Sequence, residues 1–267
     1  MNTTELKYLT ANVTELSNEI THFLLSEVGS VNAKDIQIKG LHDFVTYVDQ
    51  TAEQKIAARL GKLLPAAGML LEEKSVDKHG DRYRWVVDPL DGTTNFIHRL
   101  PVYSVSIALL DGDRPLLGVV HEANLDECFS AWEDAPALLN GSEISVSLVS
   151  SMDKALLATG FPYYDYDKLD AYMEIFKYFM QHTSGLRRLG SAAVDLSYVA
   201  CGRFEGFYEY GLHPWDVAAG AFIVQQAGGK VTDFHGDHNF IFGKEMLASN
   251  KILHAPMLDA LERFITR

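Results

Sequence analysis

Trp85-Val86-Val87-Asp88-Pro89-Leu90-Asp91-Gly92-Thr93-Thr94-Asn95-Phe96 is an apolar run that stops in two carboxylates, a proline, a glycine and two threonines. It reads as a buried strand that delivers acids to a sharp turn. Val86 and Val87 suit a strand covered on both faces, Pro89 cannot extend a central ladder, and Gly92 permits a backbone that other residues resist. Asp88 and Asp91 then sit at the strand's carboxyl end, where ligands collect in open α/β sheets. Two hard oxygen donors three residues apart suit Mg²⁺, which prefers carboxylates, carbonyls and waters. Acids near turns also serve simply as turn formers or helix caps. Two such acids at about 4 Å repel by about 4 kcal/mol at an effective dielectric of about 20. No lysine or arginine lies within the turn, so a metal is the simplest compensation.

Upstream, Leu6, Leu9, Val13, Leu16, Ile20 and Leu24 recur at spacings of three and four, and Asn2 with Glu5 resembles a capping box, which predicts an amphipathic helix over 4–28 ended by Gly29. The polar stretch 31–50 reads as a mobile loop containing Lys39-Gly40-Leu41-His42-Asp43, followed by a short strand in the alternating residues Phe44 to Asp49. Ile56, Leu60, Leu63 and Leu64 mark a second helix over 49–64, stopped by Pro65. Met69-Leu70-Leu71-Glu72-Glu73 is a second apolar run ending in acids. Downstream, strands are expected at 102–110 and 116–121 around the hairpin signal Asp111-Gly112-Asp113, and at 127–132 and 144–149 around Asn140-Gly141.

Past residue 150 the pattern alternates. It predicts a strand at 155–159, a tyrosine-rich helix over 165–182, a helix over 191–200 and a strand at 205–210. A helix over 215–227 closed by Gly228-Gly229, a strand at 230–234 and a last helix over 256–265 follow. No internal repeat and no long linker divides the chain, so it reads as a single layered α/β unit, 1–267. Its two lobes span about 1–150, two helices and a mainly antiparallel sheet, and 151–267, an α/β lobe.

A hydrophobic content of 47% over 267 residues is ample for a large core, and the net charge of -13 disfavours a broad footprint on nucleic acid or anionic membrane. An anionic substrate then needs a local inversion of charge, which bound divalent cations supply. Cys128 and Cys201 are too few for a disulfide framework and lack zinc-finger company, so a reducing cytoplasm is the default. The N-terminal 30 residues do not have the pattern of a signal peptide, and no apolar run is long enough for a membrane span.

The string from Asp88 to Phe96 resembles the signature of the inositol monophosphatase family of Mg²⁺-dependent, Li⁺-sensitive phosphatases. Glu72-Glu73 lies where that family's Glu-Glu element is expected, and Trp215-Asp216-Val217-Ala218-Ala219-Gly220 looks like its second signature. The run from Asp43 to Asp49 adds a further match, so the motifs span nearly the whole chain in order. The resemblance implies a layered αβαβα sandwich of the inositol monophosphatase and sugar phosphatase type, a homodimer, and two to three Mg²⁺ ions.

It also implies roles. Glu72, Asp88 and the carbonyl of Leu90 hold a first ion, Asp88, Asp91 and Asp216 a second, and a third lies near Glu72 and Asp49. Glu72 and Thr93 orient or deprotonate a water in line with phosphorus, with Asp49 in the same catalytic set, and no covalent phosphoenzyme is needed. Gly92, Thr93 and Thr94 open a helix whose free N–H groups grip phosphate. Glu209 accepts a hydrogen bond from a sugar or inositol hydroxyl, and Gly190, Ser191, Ala192 and Asp216 line the same pocket. Plainer readings stand beside these. Asp49 also fits the N-cap of the 49–64 helix, Asp216 a first-turn acid, Glu209 ordinary strand polarity, and Gly190-Ser191 a helix cap.

Lys39 resembles a basic residue of the family's mobile loop, set one residue closer to Asp43 than in animal members, and Leu71 stands where many members have glycine. Arg187 and Arg188 fit phosphate binding, but arginines before a helix read more readily as surface or subunit-interface residues; His98 and His213 read as neighbours of the two signatures that pack or support, and the tyrosines at 163, 164, 166 and 172 as helix-packing residues. The expected substrate is inositol monophosphate or a similar small polyol or sugar phosphate. Fructose-1,6-bisphosphatase and histidinol-phosphate phosphatase share the same metal cradle. Thr94 stands where 3′-phosphoadenosine 5′-phosphate phosphatases carry lysine, which disfavours that activity. A reading from another class is a binding or regulatory protein associated with the transcription machinery, as in one bacterial relative.

Overall fold

Helix α1 (Thr3–Glu27) begins at the expected capping box, with Asn2 Oδ1 accepting from Glu5 N at 3.0 Å and Glu5 Oε2 from Asn2 N at 2.8 Å. The computed structural model describes the backbone of residues 1–31, 36–40, 43–76, 78–80, 82–162 and 166–265, with side chains in the same ranges except at 36–40, 43 and 44. The side chains of Lys39 and Asp43, and Tyr163 and Tyr164 entirely, lie outside the described residues. An antiparallel hairpin, β1 (Ile36–Gly40) and β2 (Asp43–Thr46), leads into α2 (Tyr47–Leu63). This helix starts earlier than the sequence predicts because Thr46 is its N-cap. Asp49 is the third helical residue and reaches back to Thr46 N at 2.8 Å, so it completes a capping box and is not itself the cap.

Seven strands form the first sheet in chain order: β3 (Gly68–Leu71), β4 (Tyr83–Asp91), β5 (Ser104–Asp111), β6 (Arg114–Glu122), β7 (Glu127–Trp132), β8 (Leu138–Leu139) and β9 (Ser142–Glu143). Here β3 runs parallel to β4 and the other neighbours are antiparallel. The short helix α3 (Thr93–Ile97) follows β4. Two expectations need correction. First, β4 does not stop at Pro89: Asp88 faces Ser106 and Asp91 faces Ser104, so a bulge absorbs Pro89 and carries the strand on to Asp91. Second, Asn140-Gly141 is the predicted turn, with φ of +49° and +79°, but it closes β8 on β9 and 144–149 forms no strand. Ile144 N is taken by Ala137 O and Val146 N by Ala227 O, so that segment spends its backbone on loops.

The second sheet has the order β11 (Gly185–Arg187), β10 (Leu156–Thr159), β12 (Gly206–Tyr210), β14 (Glu245–Ser249), β13 (Lys230–Thr232). Its first three strands are parallel, and β14 pairs antiparallel to both its neighbours. Strands β11 and β14 had no counterpart in the sequence reading. Helices α4 (Leu169–His182), α5 (Ala192–Ala200), α6 (Pro214–Gln226) and α7 (His254–Ile265) complete the chain. Helices α1 and α2 cover the outer face of the first sheet, α5 and α6 lie between the sheets, and α4 and α7 cover the outer face of the second. The result is the expected five-layer αβαβα arrangement.

The strand alternation of period two sorts side chains among three cores. In β4, Trp85 and Val87 point to the α1/α2 core and Val86 to the core around α5 and α6. In β12, Phe207 points to the α5/α6 side, whereas Tyr208 and Tyr210 join Tyr172 beneath α4 and α7. Tyr172 therefore packs as expected, while Tyr166 is largely exposed. Glu209 shares the face of Phe207, which turns its carboxyl towards the layer between the sheets.

Candidate active site

A cavity of about 400 Å³ opens where the end of β4, the start of α3, the N-terminal turns of α5 and α6, and the ends of β10 and β12 meet. That volume falls within the range of small-molecule sites. Glu72, Asp88, Leu90, Asp91, Gly92, Thr93, Thr94, Gly190, Ser191, Ala192, Glu209 and Asp216 all line it. The structure thus gathers the sequence-predicted site residues on one wall or another. Asp49 is the exception, lying wholly buried behind Thr93.

The acids are held by their own local structure. Asp88 Oδ1 accepts from Leu90 N at 2.9 Å across the bulge. Asp91 Oδ2 accepts from Ser191 Oγ and from Ala193 N, each at 2.7 Å, so the first turn of α5 grips the last residue of β4. Asp216 Oδ2 accepts from His213 N at 2.7 Å as part of the α6 capping box, which makes it a first-turn acid and a cavity wall together. Burial, then the charges of Glu72, Asp91 and Asp216, push the Asp88 carboxyl well above the usual carboxylate range, and a hydrogen bond with Glu72 adds to this. Burial pushes Asp91 up to about 6 against the opposing bonds from Ser191 and Ala193.

Carboxylates that repel one another, two of them buried, are a set whose charge a cation would compensate. Among the described residues, no three His, Cys, Asp or Glu side chains already close around one point. The donors are instead spread around a cavity wall, and all are oxygens: four carboxylates and the Leu90 carbonyl. An oxygen-only set with open spaces suits a hard ion that keeps several of its waters, so the residues present fit Mg²⁺.

Thr93 stands at the turn from β4 into α3. Its Oγ1 lies 3.0 Å from both Asp49 Oδ1 and Leu90 O, and Asp49 Oδ2 is already held by Thr46 N and by Thr46 Oγ1 at 2.6 Å. Burial raises the Asp49 carboxyl above its ordinary value, opposed by these bonds. Gly92 caps α3 with φ of +97°, and a side chain there would press on Val102 O at 3.0 Å, so glycine is required on both counts.

At the far end, Gly160 leaves space for Glu209: a Cβ on Gly160 would lie 2.0 Å from the Glu209 carboxyl. Burial pushes Glu209 up to about 8, with Arg188 opposing. The carboxyl is therefore largely protonated at neutral pH in the free protein, and it is able to donate as well as accept. His213 stacks on Trp215 at 4.8 Å between ring centroids, and both line the cavity, while His98 is exposed.

Sequence reasoning missed five residues. Arg188 is not a surface or interface residue only; it lines the cavity, over Gly190 and 5.8 Å from the Phe161 ring centroid. Lys74 lines the cavity with a left-handed φ of +54°. Glu53 is buried and accepts from Glu73 N at 2.7 Å and Ser75 N at 2.8 Å, holding the Glu72 loop. Asn95 Nδ2 lies 2.7 Å from Val102 O and 2.9 Å from Leu189 O, tying the α3 turn to the approach of α5. Asp195 lines the cavity floor. One signal was available for Glu53: an acid four residues after Asp49, between Ala52 and Ile56 on an apolar helix face.

A family model described as the inositol monophosphatase family matches residues 5–266. Nus factor SuhB of Pseudomonas aeruginosa is 43% identical over 241 residues, covering 88% of this chain and 87% of that protein. The inositol-1-monophosphatase of Mesorhizobium japonicum is 35% identical over 241 residues, covering 90% and 91%. The crystal structure of extragenic suppressor protein suhB from Bartonella henselae superposes with a TM-score of 0.90 at 35% identity, covering 96% of this chain and 99% of that one.

Proposed function

The chain belongs to the inositol monophosphatase family, a family of phosphatases, and we propose that it hydrolyses a small polyol phosphomonoester, best represented by myo-inositol monophosphate, with Mg²⁺ bound. One observation carries this reading. A single cavity sets four oxygen-donor acids at one end, a glycine-threonine helix start beside them, and the buried Glu209 carboxyl at the other end. A phosphate at the first end places its alcohol group towards the second.

Glu72, Asp88, Asp91, Asp216 and the Leu90 carbonyl would hold two ions, and a third would lie near Glu72 and Asp49. Bound there, Mg²⁺ neutralises phosphate charge and makes an attacking water more acidic. Thr93 donates its hydroxyl hydrogen bond to Asp49, which leaves the lone pairs of its oxygen to accept from and aim that water. Glu72 takes a water proton as the new P–O bond forms; as the ester P–O bond breaks, the leaving alkoxide takes a proton from a solvent water and the hydroxide left behind takes the proton from Glu72, so no phosphoenzyme is needed. The amides of Gly92, Thr93 and Thr94 hold phosphate oxygens, and Glu209 binds a hydroxyl of the leaving polyol. Gly190, Ser191 and Ala192 shape the wall between them.

By the same family analogy the protein is a homodimer, is sensitive to Li⁺ and works in the cytoplasm. No described helix is long and apolar enough to cross a membrane. A second reading, association with the transcription machinery, is favoured by the relative named Nus factor SuhB; it is compatible with catalysis. The deciding experiment is phosphate release with millimolar Mg²⁺ from inositol monophosphates, fructose 1,6-bisphosphate, histidinol phosphate and adenosine 3′,5′-bisphosphate, ranked by kcat/KM. Asp91→Asn should abolish turnover with an unchanged circular dichroism spectrum. Release from none of these compounds by the wild type would turn the reading towards the binding role.

A further inference from the structure

Asp195 is a cavity residue to which the chemistry above gives no task. Ser191 caps α5, and Asp195 N donates to Ser191 O at 3.0 Å, so the spacing of four stacks both residues on the helix face that looks into the cavity. Asp195 is 1% exposed, yet its Oδ1 has no hydrogen-bond partner. Its helix neighbours Ala192, Ala193, Val194 and Leu196 are all buried and apolar, and an apolar side chain at 195 would satisfy packing alone. The cap itself is made by Ser191, whose Oγ accepts from Val194 N at 3.3 Å, so Asp195 is not needed to start the helix. Arg188 is the cation within electrostatic reach, and it also serves Asp91 and Glu209.

What remains is a ligand. Glu209 enters the same floor from β12 over the space left by Gly160, and its charge acts on Asp195. A carboxyl has an oxygen to accept and, in its acid form, a proton to donate; burial, then Glu209 and Asp91, push Asp195 well above the usual carboxylate range, which favours that form. A hydroxyl group has the same two capacities.

We propose that Asp195 is a specificity-determining residue that binds a second hydroxyl of the leaving group, next to the one bound by Glu209, so that the site selects a vicinal diol. This rests on the polyol phosphatase reading above. A site built to hydrogen-bond a hydroxyl discriminates strongly against a leaving group without one. Two carboxyls lining one cavity within electrostatic reach of each other therefore reject simple alkyl and aryl phosphates more sharply than Glu209 alone.

The test compares the wild type, Asp195→Asn and Asp195→Leu on myo-inositol 1-phosphate, on inositol phosphates lacking single ring hydroxyls, and on p-nitrophenyl phosphate. Asp195→Leu should lose about 30-fold or more in kcat/KM on myo-inositol 1-phosphate, mainly through KM. Its kcat/KM on p-nitrophenyl phosphate should stay within about twofold, and Asp195→Asn should keep most of the polyol activity. Removing one particular ring hydroxyl should penalise the wild type but not the leucine variant. Equal losses on polyol and aryl substrates, or no loss on either, would overturn the assignment. If the leucine variant does not fold, Asp195→Ala against the deoxy series decides, since alanine removes both the donor and the acceptor and an unchanged hydroxyl penalty there overturns the proposal. A wild type with no preference for polyol over aryl phosphate overturns the polyol reading and this inference together. A clear wild-type preference that both Asp195 variants retain overturns this inference alone.

Discussion

Gly160 shows how much one missing methyl group decides. Its backbone does not have positive φ, so alanine is conformationally allowed, but the new Cβ would occupy a point 2.0 Å from the Glu209 carboxyl. The carboxyl sits at the end of a side chain and swings aside more readily than backbone does. Gly160→Ala should therefore leave Tm nearly unchanged while raising KM for a polyol phosphate by roughly tenfold; steady-state kinetics with unchanged kcat would check this, and an unaltered KM would show that Glu209 does not touch substrate. Thr93 makes the complementary case at the reacting end. Thr93→Val keeps the shape and removes the hydroxyl that bridges Asp49 and the water, so kcat should fall by about 10² or more, with Thr93→Ser restoring most of it. A valine variant with near-normal kcat would remove Thr93 and Asp49 from the catalytic set.

Elements explain which of these residues the sequence announces and which it hides. The β4 run and the acids of the turn that follows it were legible because burial on both faces, a strand breaker and a glycine fall within twelve residues; the bulge at Pro89 was not, because it depends on register against β5. Helix α2 was legible as a helix, but its double duty was not. Asp49 and Glu53, one turn apart, reach two different loops, Asp49 to Thr93 and Glu53 to the amides after Glu72, and those loops are distant in sequence. Glu53→Gln keeps size but offers one acceptor oxygen for two amides, so it should free the Glu72 loop, lower kcat about tenfold and raise the Mg²⁺ concentration needed for half-maximal rate. Helix α7 has a different vulnerability. His254, its first residue, is buried between Thr232 Oγ1 at 3.0 Å and Ser249 Oγ at 2.8 Å, and burial depresses its pKa to about 4. The unfolded chain takes up a proton near pH 6.5 that the native chain refuses until about pH 4, so stability is full above 6.5 and falls as the pH drops through that window. The loss should be about 3 to 4 kcal/mol, at about 1.4 kcal/mol per pH unit. Urea unfolding at several pH values should show that slope in the wild type and a flatter one in His254→Gln; parallel slopes would count against it.

Across the whole molecule, most helices and strands followed from periodicity, because each carries its own pattern of three-and-four or two, whereas the five-layer order followed from the family resemblance. Their convergence on one cavity did not, because Arg188, Asn95 and Asp195 acquire their places only when the second sheet folds against the first. The same convergence creates an electrostatic cost that no local pattern reveals. Glu72, Asp88, Asp91, Asp195, Glu209 and Asp216 line one cavity with Lys74 and Arg188 as the basic residues of its wall, in a chain of net charge -13. In the absence of a divalent ion these carboxyls must bind protons or repel one another, and both options weaken the fold near neutral pH. Mg²⁺ binding should thus stabilise the native chain: at about 100 times Kd the gain is about 2.7 kcal/mol, or about 5 to 10 °C in Tm for a chain of this size. Sodium chloride at matched ionic strength should give much less, because screening acts weakly on buried charge. Asp88→Asn and Asp91→Asn should behave oppositely in the two states, melting at or above the wild type without Mg²⁺, because a repelling charge is gone, and gaining little when it is added. Differential scanning calorimetry of the three proteins with and without Mg²⁺ reads both effects at once. Equal Mg²⁺ shifts in all three would mean that the ion binds elsewhere and that the acids of the β4 turn are there for the fold alone.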